Sequence, residues 1–245
     1  MASASSESNT IPGQEADTPL QWKAISLTHV EYVKGDIIGY GLAWLSLLPI
    51  FILVAFVTLI IFRRDLHTIS FFLGMLVNEA INWVLKHIIR EYRPIRDRKN
   101  VFSEYGMPSS HSQFMWFFSM YLTFFLFIRV YKNYTWLDDL WKYATSFGGF
   151  VVAALVSYSR VYLGYHSLGQ VFWGAVAGII LGTLYFGVVQ FVVTPLFPLI
   201  AACPLGELLM LRDSTLIPHV MWFEYTSSRT EARSRQRKMT ARKSQ

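Results

Sequence analysis

Cysteine is almost absent from this sequence. Cys203 is the one thiol among 245 residues, which excludes an intramolecular disulfide framework and a cysteine-based zinc site. Charge is scarce as well: Asp, Glu, Lys and Arg make up 16% of the chain, against about 25% in an average soluble domain. Residues 1–20 hold no basic stretch followed by an apolar core, so they do not read as a cleaved signal peptide. No internal repeat is visible, and no Asp/Glu cluster suited to Mg²⁺ stands beside the motifs described below. What abounds is apolar. Hydrophobic residues reach 53% and aromatics 16%, with a mean hydropathy of +0.34. These figures exclude a disordered chain, a coiled coil and an ordinary soluble domain, and favour a multi-span helical membrane protein.

The net charge of +6 is not spread over the chain. Residues 229–245 hold seven basic side chains (Arg229, Arg233, Arg235, Arg237, Lys238, Arg242 and Lys243) and one acid, Glu231, so this tail carries all of it. Such a run can bind nucleic acid, but after apolar spans it reads as a cytoplasmic anchor beside anionic lipid, and no nucleic-acid partner is expected. The chain therefore divides into a mobile tail over 1–20, a membrane domain over 21–228 and a basic cytosolic tail over 229–245. Trp22, Tyr32 and Tyr40 read as interfacial anchors at the start of the membrane domain.

Five apolar segments follow, over 41–62, 67–89, 112–130, 143–163 and 171–193. Each approaches or exceeds the roughly 20 residues that cross a bilayer core. Pro49 is expected to kink the first. Gly148, Gly149, Ala153 and Ala154 in the fourth, and Gly174, Gly178, Gly182 and Gly187 in the fifth, suit close helix packing. Pro195, Pro198, Pro204 and Glu207 argue against another full span and for an interfacial or re-entrant segment. The expected fold is thus an all-α polytopic bundle of about five spans. Its connections put loops 90–111 and 163–171 on one face of the membrane, with 63–66, 131–142 and the C-terminal tail on the other. The positive-inside rule assigns Arg63, Arg64 and the basic tail to the cytoplasm, so the first face is lumenal or external. The basic loop 90–100 breaks that rule, as charge retained for a site would.

Several polar groups stand where lipid should forbid them. Asn78, Asn82, Lys86 and Arg90 recur every four residues and share one face of a helix. Ionisable groups at membrane depth cost roughly 2.5–3.5 kcal/mol or more each, so they face a bundle interior or a wet cavity. The stripe, with neighbouring Glu79, reads either as hydrogen-bonding glue or as part of a site. Lys86 and Arg93 meet on one face if the helix continues to Pro94, and would form an anion site there. Pro108, Ser109, Ser110 and His111 then precede the third span, where a helix start offers free backbone N–H groups to a phosphate. Finally, Arg160 and His166 flank the turn between the fourth and fifth spans. By the connections above, three cations and two imidazoles reach the same membrane face.

Lys86, Arg93 and Pro94, then Pro108, Ser109, Ser110 and His111, then Ser159, Arg160 and His166 together resemble the three-part signature of the type 2 phosphatidic acid phosphatase family, in order and in spacing. Residues 66–86, 105–118 and 212–231 resemble the branch of that family that acts on dolichyl diphosphate, and the likeness covers roughly residues 25–240. Two positions depart from the signature. Ser110 replaces a Gly, and Gln170 stands where the family carries an Asp that orients the second histidine. Gln170 can accept the imidazole N–H but brings no negative charge; either a weaker orienting group suffices or another carboxylate, such as Glu79, substitutes.

The resemblance implies a membrane hydrolase of the endoplasmic reticulum, needing no metal and no cofactor. It would cleave dolichyl diphosphate to dolichyl phosphate and phosphate, recycling the carrier lipid of N-glycosylation. It implies His166 as nucleophile, His111 as general acid and base, and Gln170 as orienting group. Lys86, Arg93, Arg160, Ser109 and Ser110 would hold the phosphate, on the lumenal side. A phosphatidate-type phosphatase, a head-group transferase and a non-catalytic lipid-binding or scrambling protein are the competing expectations.

Overall fold

The computed structural model describes residues 22–25, 30–94, 105–130, 139–217 and 219–243. A short antiparallel hairpin, β1 (Trp22–Ile25) and β2 (Val30–Val33), precedes the helices. Then come α1 (Ile37–Leu45), α2 (Leu48–Arg63), α3 (Leu66–Ile89), α4 (Ser110–Phe124), α5 (Leu140–Tyr162), α6 (Leu168–Val188), α7 (Phe197–Ala202), α8 (Pro204–Leu208) and α9 (Val220–Lys243). A π-helical turn, Phe125–Arg129, prolongs α4, and a second, Val189–Val193, leads from α6 through a 3₁₀ turn into α7. The sequence-predicted tail over 1–20, most of loop 90–100 beyond Pro94 and the stretch 131–138 lie outside the described residues.

Four stretches are long and apolar enough to cross a bilayer: Ile37–Arg63, Leu66–Ile89, Leu140–Tyr162 and Leu168–Ala202. They match four of the five sequence-predicted segments, and the chain is a multi-pass membrane protein. Pro49 sits in the first turn of α2, where its missing N–H costs nothing, and the break between α1 and α2 at Ser46 and Leu47 replaces the expected kink. The fifth expected segment is α4 with its π turn, 15 and 5 residues long. At 1.5 Å per residue that is about 30 Å, the thickness of the hydrocarbon core. This helix is more polar because it lies at the centre, against α3, α5 and α6, and shows little of itself to lipid. By contrast α2 buries only Pro49 and exposes apolar side chains along its length.

Lipid gives no hydrophobic reward for bringing apolar helices together, so close backbone approach and hydrogen bonds must do it. The contact of α4 with α6 uses both. A methyl group on Gly178 would lie 2.4 Å from the Gln113 carbonyl oxygen, and one on Gly174 would lie 2.8 Å from that of Ser109. Gly182 is similarly tight against Phe117. Gly187, five residues on, falls out of the stripe and has open space around it. Below this contact Phe71, Met75, Phe117, Tyr121, Ala153, Val156 and Phe186 form the core, with the Phe71 and Tyr121 rings stacked at 4.1 Å.

At the end of the bundle where α3 begins, the chain after α8 returns as a strap. Leu66 N–H donates to the Arg212 carbonyl (3.0 Å) and Arg212 N–H to that of Arg64 (2.9 Å). Arg63 pairs with Glu224 of α9 at 2.7 Å. The segment after the last span, expected to be interfacial or re-entrant, consists of the short helices α7 and α8 and this strap. At the other end, β2 leans on the turn after α5, where the Glu31 N–H donates to the Tyr165 hydroxyl (2.9 Å).

Replacing Gly178 with Ala is expected to lower the thermal midpoint in detergent, because the overlap is with backbone and cannot be relieved by a rotamer change; overpacking of this kind costs about 1–3 kcal/mol. Gly187→Ala should leave the midpoint unchanged or raise it, since a helical Gly is worse than Ala by roughly 0.5–1 kcal/mol. Equal midpoints for the two variants in a thermal melt would remove the α4–α6 contact from its proposed rank.

Candidate active site

Three segments meet at the end of the bundle opposite the strap. The first is the exit from α3. Arg90 adopts a left-handed backbone, φ 54°, and ends the helix at Ile89. The helix therefore does not run on to Pro94, and Lys86 and Arg93 do not face one another as residues two turns apart. The chain doubles back instead: Tyr92 bridges Tyr105, and the Gly106 N–H donates to the Glu91 carbonyl at 2.7 Å. This fold-back brings Arg93 within electrostatic range of Lys86.

The second segment is the start of α4. Ser109 is its N-cap residue, yet its hydroxyl makes no cap bond and is buried without a partner among the described residues. The Ser109 N–H is taken by the Gln170 carbonyl at 3.0 Å. The next amides, of Ser110, His111 and Ser112, have no helical acceptor because they open the helix. Lys86 Nζ stands 3.5 Å from Ser110 Oγ.

The third segment is the turn from α5 to α6. The Arg160 carbonyl accepts from both the Tyr165 and the His166 N–H, at 3.0 and 3.2 Å. Gly164 gives the turn its left-handed residue, φ 71°. These bonds fix His166 beside the last turn of α5, where the Arg160 guanidinium lies over the Tyr165 ring at 4.1 Å. Ser167 and Gln170 then form a reciprocal capping box at the start of α6.

The polar stripe of α3 divides between the two roles open to it. Asn82 donates to the Pro108 carbonyl (3.3 Å) and to Gln113 Oε1 (2.8 Å), and Gln113 Nε2 donates to Asn78 Oδ1 (3.0 Å). Asn78 and Asn82 are thus glue between α3 and α4. Lys86, one turn on, reaches toward Ser110 at the start of α4, and Arg90 is exposed. A second chain of bonds was not legible beforehand: Trp116 donates to Ser157, Ser157 to Ser112, and Ser112 to the Val171 carbonyl, at 3.1, 3.0 and 2.8 Å. It ties α4, α5 and α6 together one turn below the histidines. Isolated serines on apolar helices were the signal for it.

Gln170 shows how His166 is held. Its Nε2 donates to Glu91 Oε1 (2.8 Å) and to the Tyr92 carbonyl (2.9 Å). Its Oε1 accepts from the Ser167 N–H (3.3 Å) and faces His166 Nδ1 at 3.1 Å. The Tyr92 carbonyl can only accept and the Ser167 N–H can only donate, so the amide has one orientation. His166 Nδ1 must then be the donor, which assigns the ring proton to Nδ1 and leaves the lone pair on Nε2. The carboxylate that Gln170 touches is Glu91.

The electrostatics follow from this crowding. Burial holds His166 well below the ordinary histidine range, and the positive charges of Arg160 and Arg93 push it further down; the bond to Gln170 opposes them weakly. Arg160, His166, Lys86 and Arg93 all lie within electrostatic range of His111. The five charged or imidazole groups named from sequence therefore converge, with Ser109, Ser110 and Gln170 among them. A neutral, oriented imidazole beside three cations and a row of open amides can take an anion with several oxygens and attack it. A separate cavity of about 1200 Å³ lies at the far end, lined in part by His67, Arg129 and Thr215, and holds none of these residues. His67 and Lys86 are 19 positions apart on α3, about 28 Å along its axis.

A family model described as the PAP2 superfamily matches residues 67–193. Dolichyldiphosphatase 1 of Mus musculus is 53% identical over 228 residues, covering 92% of this chain and 96% of the mouse protein. Its Homo sapiens counterpart has the same identity and coverage. Among solved structures, a transmembrane PAP2-type phosphatidylglycerolphosphate phosphatase from Bacillus subtilis superposes with a TM-score of 0.52 at 24% identity, over 63% of this chain and 78% of that one, and shares the fold. Family model, full-length relatives and fold agree with the three motifs that meet at the ends of α3, α4 and α5: the chain belongs to the PAP2 superfamily.

Proposed function

We propose that the chain is a lipid pyrophosphate phosphatase that converts dolichyl diphosphate to dolichyl phosphate and inorganic phosphate. The convergence of His111, His166, Lys86, Arg93 and Arg160 at one border of the bundle, with the His166 Nε2 lone pair free, carries the reading. The names of the relatives at 53% identity support the substrate.

In the first step His166 Nε2 attacks the terminal phosphorus in line. The bond from phosphorus to the bridging oxygen breaks, its electron pair leaves with dolichyl phosphate, and His111, which takes up its proton as the anionic diphosphate binds beside it, gives that oxygen a proton. In the second step water attacks the phosphohistidine, His111 takes its proton, and the N–P bond breaks. Its electrons return to the imidazole, which is again neutral, and inorganic phosphate departs. Two easier displacements replace one hard one. Lys86, Arg93 and Arg160, with the Ser109 and Ser110 hydroxyls and the open amides of α4, hold the equatorial oxygens where negative charge accumulates. The three cations supply the charge stabilisation, so the route has no step through a metal or cofactor.

The membrane setting suits a long isoprenoid: the head enters at the border while the tail stays in hydrocarbon. Arg63 and the start of α9 are joined by the pair with Glu224 at the end away from the histidines. With the positive-inside rule this supports a cytosolic basic tail, a lumenal site and a role in recycling the glycosyl carrier of the endoplasmic reticulum.

His166→Ala should cut phosphate release from dolichyl diphosphate by about 10³-fold or more, with membrane insertion unchanged by carbonate extraction. Wild-type turnover in that variant removes His166 as nucleophile. The ring of His166 should stay neutral at pH 6.5, because burial and its cationic neighbours oppose a second proton and move its titration midpoint below the ordinary value. A ¹⁵N-histidine NMR titration in detergent reads this directly, and a midpoint at or above 6.5 contradicts it. In sealed microsomes, protease should digest a tag after Gln245 without detergent; a protected tag reverses the topology.

A further inference from the structure

The reaction gives His166 a positive charge that Gln170 cannot answer alone. With phosphorus on Nε2 and a proton on Nδ1, both ring nitrogens are substituted and the ring is cationic. It also stands among Arg160, Arg93 and Lys86, which raise the energy of that state. A neutral amide on Nδ1 orients the ring but supplies only a dipole. The negative charge sits one hydrogen bond further out. Gln170 Nε2 donates at 2.8 Å to Glu91 Oε1, and the same amide faces His166 Nδ1 at 3.1 Å through its oxygen.

We propose that Glu91 is the positioning carboxylate of His166, acting through the Gln170 amide. The proposal rests on the reading of His166 as nucleophile. A carboxylate that accepts from Nε2 draws the amide proton outward and polarises the group, so that Oε1 becomes the more negative end facing the imidazole. The charge of Glu91 itself attracts the cationic phosphohistidine across the same bridge. The amide cannot turn away from this duty. Its two donors go to Glu91 and the Tyr92 carbonyl, and its oxygen faces His166 and the Ser167 N–H, so every hydrogen-bonding position is filled. Nor can it shift sideways, because a methyl group on Gly106 would lie 2.6 Å from Gln170 Oε1 and 2.9 Å from Nε2. Glu91 is held from behind as well, since its carbonyl accepts from the Gly106 N–H. Glu91, Gly106 and Gln170 thus form one clamp that reaches His166 at Nδ1.

The test is a charge swap that preserves shape. The full-length protein in detergent is assayed on dolichyl diphosphate as wild type, Glu91→Gln, and the double variant Glu91→Gln with Gln170→Glu. In the single variant the amide oxygen introduced at position 91 can still accept from Gln170, so only the charge is lost. In the double variant the carboxylate moves directly onto His166 Nδ1 and the hydrogen bond between the two positions is kept, while the bond to the Tyr92 carbonyl is lost. Glu91→Gln is expected to lower kcat about ten- to hundredfold, the range seen when an orienting partner of a histidine is lost. KM should change little, because the phosphate-holding cations are untouched. The double variant should regain part of the lost kcat, with the missing bond to the Tyr92 carbonyl keeping it below wild type. A single variant as active as wild type overturns the proposal, and so does a double variant no better than the single one, which would mark Glu91 as a brace for the chain around Tyr92. A failure of the underlying reading looks different: His166→Ala would then retain activity whatever Glu91 does.

Discussion

The starts of α4 and α6 lie side by side because α6 turns a stripe of three glycines toward α4 there. Gly174, Gly178 and Gly182 let the two backbones approach until carbonyls of α4 occupy the space where methyl groups would stand. In water such an approach would be one packing solution among several. In lipid, where an apolar flank gains nothing by being covered, it is the principal way to hold two helices in a fixed register. The register is then locked at the top by the Ser109 N–H on the Gln170 carbonyl and one turn below by Ser112 on Val171. His111 and His166 owe their common location to this contact.

A pocket rich in cations is costly to assemble before its anion arrives. Lys86, Arg93 and Arg160 repel one another and are partly desolvated. The partners the fold gives them are neutral and leave their charge available to an anion: the Tyr165 ring under Arg160, the Ser110 hydroxyl at Lys86, and an amide rather than a carboxylate beside His166. In keeping with this, Glu91 stands behind Gln170 and not inside the cup, where it would compete with a phosphate for the same cations.

The sequence was legible where its pattern is set by the bilayer or by charge in the wrong place. The apolar windows located the helices to within a few residues, and Lys86, Arg93, His111, Arg160 and His166 stood out because lipid tolerates such groups only for a reason. The rest was not legible because it depends on how the chain turns. The helix stops at Ile89 because Arg90 takes a left-handed backbone, a conformation that no residue type there announces. From that stop follow the fold-back to Tyr105 and the arrival of Glu91 at Gln170. The β1–β2 hairpin lay in a stretch whose apolar and polar residues alternate, as in Trp22-Lys23-Ala24 and Val30-Glu31-Tyr32, but with no Gly or Pro turn between the strands, and it gains a distant partner in Tyr165.

The strap carries a lesson about limits drawn by homology. The superfamily match ends at residue 193, yet the backbone around Arg64 and Leu66 is completed by Arg212, and His67 at the foot of α3 meets Thr215 at 3.1 Å. The shared region is therefore smaller than the folding unit. A fragment trimmed to the matched borders would take Asp65 and Thr215 from the foot of α3 and leave the Thr68 and Ile69 amides and the His67 ring without those partners, so the matched stretch is the site-bearing half of a body whose other half is its own closure.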